Sequence, residues 1–441
     1  MKTIEKIKNY SNKVKTDNFW NNLFKNSFWA FSGEAIAAVL SLIITVVLIK
    51  LIGSAEYGIL VLAQTYMFII DVILNIQSWK SVIQYGQKSM VDQKYNELNG
   101  YVKLGSILDI FTAIIGGIVA ILIAPIIGRM LNWSDNLILC AQIFSITIFS
   151  HFSGTPTAIL RILNKFNLVA IQKFITALIK LYSFIIVFIV QKNVGLVEAT
   201  VIYCITDIIG NLLLIVFAFY EYKKRFPKTQ IFKSKFPKDT KKFVKFTIWG
   251  TLNDVVDIPV SYFDVFILSF LGNDIVAVFK VFKQCVAILQ KVTSPIQQSI
   301  LPQFSEMYAK GEKKEGYKVV IKIRNMILKI IGPIALFLGL TSPIWLNIVY
   351  GELYAQNWYC LCLYLLIQTF ALSYTTVHPY FLSLDKAKYS AIYILIANYI
   401  YMILALILVK LIGILGIILA YFAQCSIAIY LKIRNIKKET N

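Results

Sequence analysis

The chain has 441 residues, of which 58% are hydrophobic and 15% charged, and its net charge is +21. Soluble domains are about 45–50% apolar and about 25% charged, so this composition excludes a soluble enzyme or binding domain of this size. A nucleic-acid-binding surface would require a basic soluble face, and nucleic acid is therefore not an expected partner. The composition instead indicates a membrane protein, with the charge reporting its orientation.

Twelve stretches are long and apolar enough to cross a bilayer as helices, which requires ~20 mostly apolar residues. Continuous apolar runs favour helices over a β-barrel, in which apolar and polar residues would alternate. The first 27 residues are polar and lysine-rich, unlike a cleavable signal peptide. The sequence therefore predicts an all-α, polytopic membrane protein with these spans: 28–50, 58–79, 104–128, 136–160, 168–190, 196–220, 246–271, 275–301 (the most polar), 325–350, 358–384, 389–409 and 413–431.

Positive charge is distributed unequally between the two sets of alternate connections. One set, which includes both termini, carries 34 Lys and Arg residues, and the other set carries 4. Because connections rich in Lys and Arg stay in the cytosol, both termini are predicted to be cytosolic, in the cytoplasmic membrane of a bacterium.

The spans fall into two sets of six that resemble a parallel repeat. Short motifs recur at offsets of 219, 218 and 223 residues, in the pairs Gly53 and Gly272, Pro125 and Pro343, and Pro156 and Pro379. Two halves with the same span order and the same starting side are related by an axis along the membrane normal. The predicted organisation is an amphipathic cytosolic segment 1–27, a first lobe 28–220, a basic cytosolic linker 221–245, a second lobe 246–431 and a cytosolic tail 432–441.

Several spans carry polar side chains on one helical face. Gln64, Asp71 and Asn75 share a face of the second span. Each ionisable residue at mid-span costs roughly 2.5–3.5 kcal/mol when it faces lipid, so such residues should face a wet cavity or pair with an acid. The deep lysines are therefore predicted to line a cationic cavity: Lys180, Lys280, Lys283 and Lys291.

Other polar residues have simpler interpretations. Lys173 and Lys329 lie near the cytosolic boundary and can extend their ammonium groups to water. His151 and His378 favour structural roles, and Asp109 can pair with a base or cap local structure.

Asp254 and Asp257 lie one helical turn apart, just before Pro259 in the seventh span. Pro259 removes a backbone donor and thereby frees a carbonyl that can act as an ion ligand. With Asn398 of the eleventh span, these acids form a candidate coupling site for Na⁺, or for H⁺ on one carboxylate. The alternative is that they neutralise Lys280 and Lys283 on the next helix.

Catalytic and metal-binding motifs are missing from the sequence. It contains no Walker A loop, no HExxH, no nucleophile elbow and no His/Cys set with metal-ligand spacing. We therefore expect no catalytic residue, no bound metal and no cofactor other than a coupling ion.

Three short motifs resemble those of the Wzx-type flippases of O-antigen and capsule repeat units, within the multidrug/oligosaccharidyl-lipid/polysaccharide (MATE-like) exporter superfamily. Residues 48–58, LIKLIGSAEYG, resemble the "lGxxeyG" signature between the first two helices. Residues 262–272, YFDVFILSFLG, resemble the "yxDxxiLxxxlG" signature of the seventh helix. Residues 301–305, LPQFS, followed by Gly311, resemble the motif that closes the eighth.

The resemblance implies two six-helix lobes around a central cavity that works by alternating access. It implies transport of an undecaprenyl-pyrophosphate-linked oligosaccharide to the external leaflet, drawing on an ion gradient, with a polysaccharide polymerase and a chain-length regulator as partners. Lipid II flippases have fourteen helices and early arginines, whereas this chain has twelve predicted spans and Glu34 in the first. The alternatives are a multidrug or small-solute exporter of the same superfamily, and an integral-membrane polysaccharide polymerase, which the short external connections disfavour.

Overall fold

A computed structural model of the chain describes residues 32–76, 78–191, 194–227 and 230–440, so the predicted segment 1–27 lies outside the described residues. The described residues form helices joined by short connections, with no strand among them. The helices are α1 Ser32–Ile52, α2 Ser54–Leu74, α3 Trp79–Val91, α4 Tyr95–Met130, α5 Asp135–Ile146, α6 Gly154–Ile162, α7 Phe166–Gln191, α8 Leu196–Arg225, α9 Thr240–Val256, α10 Asp264–Ser269, α11 Asn273–Ala309, α12 Lys313–Tyr350, α13 Glu352–Gln356, α14 Trp358–Ser373, α15 Val377–Ser383, α16 Ala387–Ile412 and α17 Ile414–Thr440. Single turns of 3₁₀-helix occur at Thr147–Ser150 and Ile231–Lys233, and a π-helical turn at Pro259–Phe263.

Within the described ranges, nine helices are long and apolar enough to cross a membrane, or ten if the bent pair Asp135–Ser150 and Gly154–Ile162 counts as one span. The other two predicted spans, 246–271 and 275–301, are also helical but more polar. They carry the charged side chains Asp254, Asp257, Asp264, Lys280, Lys283 and Lys291. The prediction of an all-α polytopic membrane protein is confirmed.

Contacts between connections define two ends of the helical bundle. At one end, which we call the basic end, Lys165 pairs with Glu221 at 3.1 Å. There Glu439 of α17 also pairs with Lys313 at 3.4 Å and Lys386 at 2.7 Å. The opposite end holds the start of α2 and the start of α11.

The hydrophobic core differs between the two ends. At the opposite end a single core contains residues of both halves, from α1, α2, α4, α5 and α8 as well as α10, α11, α12, α14, α16 and α17. At the basic end each half has its own core, one around Tyr101, Leu160 and Phe243, the other around Phe304, Tyr380 and Ile436. The halves are therefore joined at the opposite end and have separate cores at the basic end.

The joint at the opposite end depends on a close approach of α2 to α11. A Cβ atom added to Gly58 would lie 1.9 Å from the carbonyl oxygen of Asn273, so only glycine fits there. Gly53, just before α2, has φ +84, a backbone conformation that favours glycine. Both glycines of the LIGSAEYG motif thus have a packing or conformational cause.

The two parts of the seventh span pack in different cores. Phe243 near the start of α9 is packed in the core of the first half, and Thr247 lies 2.6 Å from Ser81 of α3. After the π-helical turn, α10 joins the core that both halves share. The preceding connection also lies on the first half, because Lys103 of α4 donates to the carbonyl of Ser234 at 3.0 Å.

Candidate functional site

A cavity of about 330 Å³ lies inside the first half, between α1, α2, α7 and α8. Lys180 of α7 lines it, with its ammonium 2.5 Å from the Asp207 carboxylate of α8 and 3.4 Å from the centre of the Tyr203 ring. The Lys180 side chain is only 9% exposed. A buried ammonium is costly without a counter-ion, and Asp207 supplies one.

The polar face predicted on the second span meets His151 at the edge of this cavity. The His151 Nδ1 lies 2.9 Å from Asp71, and the Asn75 amide donates to the same carboxylate at 2.9 Å and to the His151 carbonyl at 3.1 Å. Gln64 is buried further along the same helix. Asp71 and Asn75 thus belong to one hydrogen-bonded network that links α2 to the break between α5 and α6.

Asp109 of α4 holds two helix breaks together. Its carboxylate accepts hydrogen bonds from the backbone N–H and hydroxyl of Ser78, at 2.9 and 3.0 Å. It also accepts from the backbone N–H and hydroxyl of Thr155, at 2.7 and 2.8 Å. Ser78 precedes α3 and Thr155 begins α6, so one buried carboxylate caps both interrupted spans. A Cβ on Gly154 would lie 2.9 Å from this carboxylate, which explains glycine there.

A second cavity, of about 320 Å³, lies inside the second half. Lys283 of α11 donates to the Asp264 carboxylate at 2.7 Å and to the carbonyl of Ser261, in the π-helical turn, at 2.8 Å. Lys280, one turn earlier, lies within electrostatic range of both Lys283 and Asp264. Tyrosines from three other helices line the same cavity: Tyr364, Tyr401 and Tyr421.

A cluster of cations spans the two halves near the basic end. Glu34 of α1 lies 2.6 Å from the ammonium of Lys291 on α11 and 3.2 Å from that of Lys173 on α7. Arg161 of α6 lies within electrostatic range of Glu34 and packs over the Trp79 ring at 4.6 Å. These three cations and one acid are the interhalf cluster. Sequence reasoning assigned Lys173 to the membrane boundary and did not single out Arg161.

The residues predicted to couple an ion each have a different environment. Asp254 pairs with Lys80 of α3 at 2.7 Å, and Asp257 is exposed. Asn398 donates to the carbonyl of Val256 at 2.9 Å and accepts from Gln424 at 3.0 Å. Lys283 is neutralised by Asp264 and not by the two earlier acids, since the turn between α10 and α11 sets Asp264 beside it.

No group of three or more His, Cys, Asp or Glu side chains within the described ranges is arranged to hold a metal ion. The polar groups instead pair with each other inside a helical bundle. A helical membrane protein of two halves, with a polar cavity in each half and cations between the halves, has an architecture that transporters and flippases use.

The family follows from the sequence. The family described as polysaccharide biosynthesis protein matches residues 23–308, and the chain belongs to it. The inner membrane protein YghQ of Escherichia coli (strain K12) is 30% identical over 160 residues, which cover 36% of this chain and 44% of YghQ. The match thus spans less than half the length of that relative.

Solved structures of similar fold include the lipid II flippase MurJ in an inward closed conformation. Its TM-score is 0.69 at 15% identity, and the match covers 92% of this chain and 87% of that one. A variant of the Vibrio cholerae MATE transporter VcmN has a TM-score of 0.65 at 15% identity over 97% and 98% of the two chains. A multidrug resistance MATE family transporter in an inward-facing conformation has 0.65 at 13% identity over 95% and 94%. These likenesses confirm the MATE-like fold with its two lobes.

Proposed function

We propose that the protein is a flippase that moves undecaprenyl-pyrophosphate-linked oligosaccharide repeat units from the cytosolic to the external leaflet, for an O-antigen or capsule polysaccharide. A polysaccharide polymerase and a chain-length regulator would act next on the flipped unit. The family and the fold support transport across a membrane. The choice of an anionic, lipid-linked substrate rests on the interhalf cluster.

The interhalf cluster is the observation that carries this proposal. Among the described residues, Lys173 and Lys291 both pair with Glu34, and Arg161 adds a third positive charge to this cluster. Their net charge is therefore positive, at the side where the two halves have separate cores. A pyrophosphate needs compensating cations to enter the membrane, and lysines can bind phosphate as point charges and release it again. Deeper in the protein, Lys180 is paired with Asp207, whereas Lys280 and Lys283 share Asp264 and would add positive charge in the second half.

Alternating access would use the two ends in turn. With the basic end in the cytosol, the single core at the opposite end closes the external side in the state described. Closure of the cytosolic side would bring the halves together at the basic end, where their cores are separate. Coupling to a proton gradient would act on the exposed carboxylate of Asp257, beside the carbonyl of Val256 that Asn398 caps.

The test is complementation of a strain that lacks the flippase of this pathway. Lys291→Ala should lower surface polysaccharide by about tenfold or more, because a charge-assisted hydrogen bond contributes ~1.5–3 kcal/mol, whereas Lys291→Arg should retain more activity. Lys329→Ala is the matched control, since it removes an exposed lysine of α12. Full complementation by Lys291→Ala at normal abundance would contradict the assigned cluster.

Substrate class is tested with proteoliposomes that contain a fluorescent undecaprenyl-pyrophosphate-linked oligosaccharide. Wild-type protein should expose the label to an external quencher faster than protein-free vesicles do. Transport of an organic cation such as ethidium, without movement of the lipid-linked glycan, would instead establish a drug exporter.

Orientation is tested with Lys235→Cys in the connection before α9. An impermeant thiol reagent should label this cysteine only after permeabilisation of the cells. Labelling in intact cells would reverse the proposed topology and the direction of transport.

A further inference from the structure

We propose that the second half contains a cation site that the protein itself occupies with the ammonium group of Lys283. The consequence is that wild-type protein binds no Na⁺ in this half, and that removal of the lysine side chains creates a Na⁺ site there. This inference concerns the ion and not the transported lipid.

The ligands around the Lys283 ammonium are those that a small hard cation uses. The carboxylate of Asp264 lies at 2.7 Å and the carbonyl oxygen of Ser261 at 2.8 Å. Unwound backbone carbonyls and carboxylates coordinate Na⁺ in transporters with interrupted helices. Asp264 is oriented by the backbone N–H of Val265, which donates to it at 2.8 Å, and its side chain is 4% exposed.

The π-helical turn makes this carbonyl available. The turn Pro259–Phe263 departs from the α-helical hydrogen-bond pattern. In an α-helix the Ser261 carbonyl would accept from the N–H of Val265, but that N–H donates to the Asp264 side chain at 2.8 Å. The Ser261 carbonyl accepts instead from Lys283 of the neighbouring helix.

Electrostatics disfavours a second cation here. Lys280 lies within range of the same carboxylate, so two ammonium groups share one buried acid. A tethered ammonium also competes at the high effective concentration of an intramolecular group, which free Na⁺ must exceed. Na⁺ would have to displace Lys283 and tolerate Lys280.

The first half contains the same arrangement in a different form. The Lys180 ammonium contacts Asp207 at 2.5 Å and lies 3.4 Å from the centre of the Tyr203 ring, a carboxylate and an aromatic face that both favour a cation. In each half, therefore, a lysine that lines the cavity is paired with an acid from a neighbouring helix.

The experiment measures the Tm of purified protein by intrinsic fluorescence while NaCl replaces choline chloride at constant ionic strength. Wild type should show no saturable shift. The variant Lys280→Met/Lys283→Met should gain a saturable rise of a few degrees, because a ligand that binds only the folded state raises Tm. Adding Asp264→Asn to this variant should abolish the rise.

A second measurement tests the proposal if the double variant folds poorly. Lys283→Ala should be recovered in higher yield in butylammonium chloride than in choline chloride, since a free primary ammonium can replace the missing one. The proposal is overturned by a Na⁺ shift in wild type that Lys283→Met leaves unchanged, by a folded double variant without a shift, or by equal recovery of Lys283→Ala in both salts. Because the readout is ion binding, these outcomes are independent of the lipid-linked glycan assay.

Discussion

The two halves interrupt corresponding spans but hold the interruptions in different ways. In the first half, the break between α5 and α6 is tied to α4 by the carboxylate of Asp109. In the second half, the break between α14 and α15 contains Thr376, whose buried hydroxyl has no hydrogen-bond partner among the described residues. The helix after this break is packed on α11 by aromatic rings, with Tyr380 of α15 against Phe304 at 5.1 Å.

The second span of the first half and its counterpart in the second half differ as well. The second span is interrupted between α2 and α3, and the same Asp109 caps that break. Its counterpart α11 runs without interruption from Asn273 to Ala309. The irregular backbone of the second half lies in the seventh span, beside Lys283. The comparison teaches that two halves can keep the same span order and stabilise their irregular backbone differently. The first half uses the buried carboxylate of Asp109, and the second half uses packing and the ammonium group of Lys283.

The largest expected effect is on the acid of the first half. Asp109→Asn should lower the free energy of unfolding by about 3–5 kcal/mol, because it removes the charge from a buried acceptor of four hydrogen bonds. The measurement is the Tm and yield of purified protein. Asp135→Asn, an exposed acid at the start of α5, is the matched control and should change stability by less than about 0.5 kcal/mol. Equal effects of the two changes would show that Asp109 does not hold the first half together.

The next prediction compares one threonine from each half. Thr155→Val removes a donor to Asp109 and should destabilise by about 1–3 kcal/mol. Thr376→Val removes a buried hydroxyl that has no partner and should be neutral or stabilise by up to about 1 kcal/mol. Thermal unfolding of both variants in one buffer gives the signs. Two changes of the same sign and size would break the distinction between the halves.

The smallest effect is expected at the ion pair between α3 and α9, the part of the seventh span that lies on the first half. Lys80 and Asp254 are 34% and 50% exposed, and exposed pairs contribute about 0.2–1 kcal/mol. A double-mutant cycle with Lys80→Ala and Asp254→Ala should give a coupling energy in that range, which falls with added salt. A coupling above about 2 kcal/mol would mean that this ion pair, and not the apolar packing around Phe243, holds α9 against the first half.

Much of the fold could be predicted from the sequence, because a bilayer imposes span length and apolarity on every helix. The polar face of Asp71 and Asn75 and the irregularity at Pro259 were also predicted, since helical phase and a missing N–H act within one segment. The LIGSAEYG motif predicted a connection between the first two helices, and the structure places Gly53 there with φ +84.

Pairing between helices was harder to predict. Helical phase predicts the face of α7 on which Lys180 lies, but not which helix packs against that face. The hairpin of α7 and α8 does contain the missing signal, because Lys180 and Asp207 lie at similar distances from its turn. Lys283 and Asp264 likewise lie at similar distances from the turn at Gly272. The interhalf cluster has no such local signal, since Glu34 and Lys291 are far apart in sequence and meet only when the halves pack.

The π-helical turn has a consequence for the register of the seventh span. Such a turn is equivalent to one extra residue in an α-helix, so deleting a single residue within Pro259–Phe263 would restore regular winding and rotate one side by about 100°. If α10 kept its place, α9 would then present a different face to α3. The contacts of Thr247 with Ser81 and of Asp254 with Lys80 would both be lost. Insertions and deletions are therefore expected to be tolerated in the exposed connections but not here, where a one-residue change in chain length would uncouple the two halves.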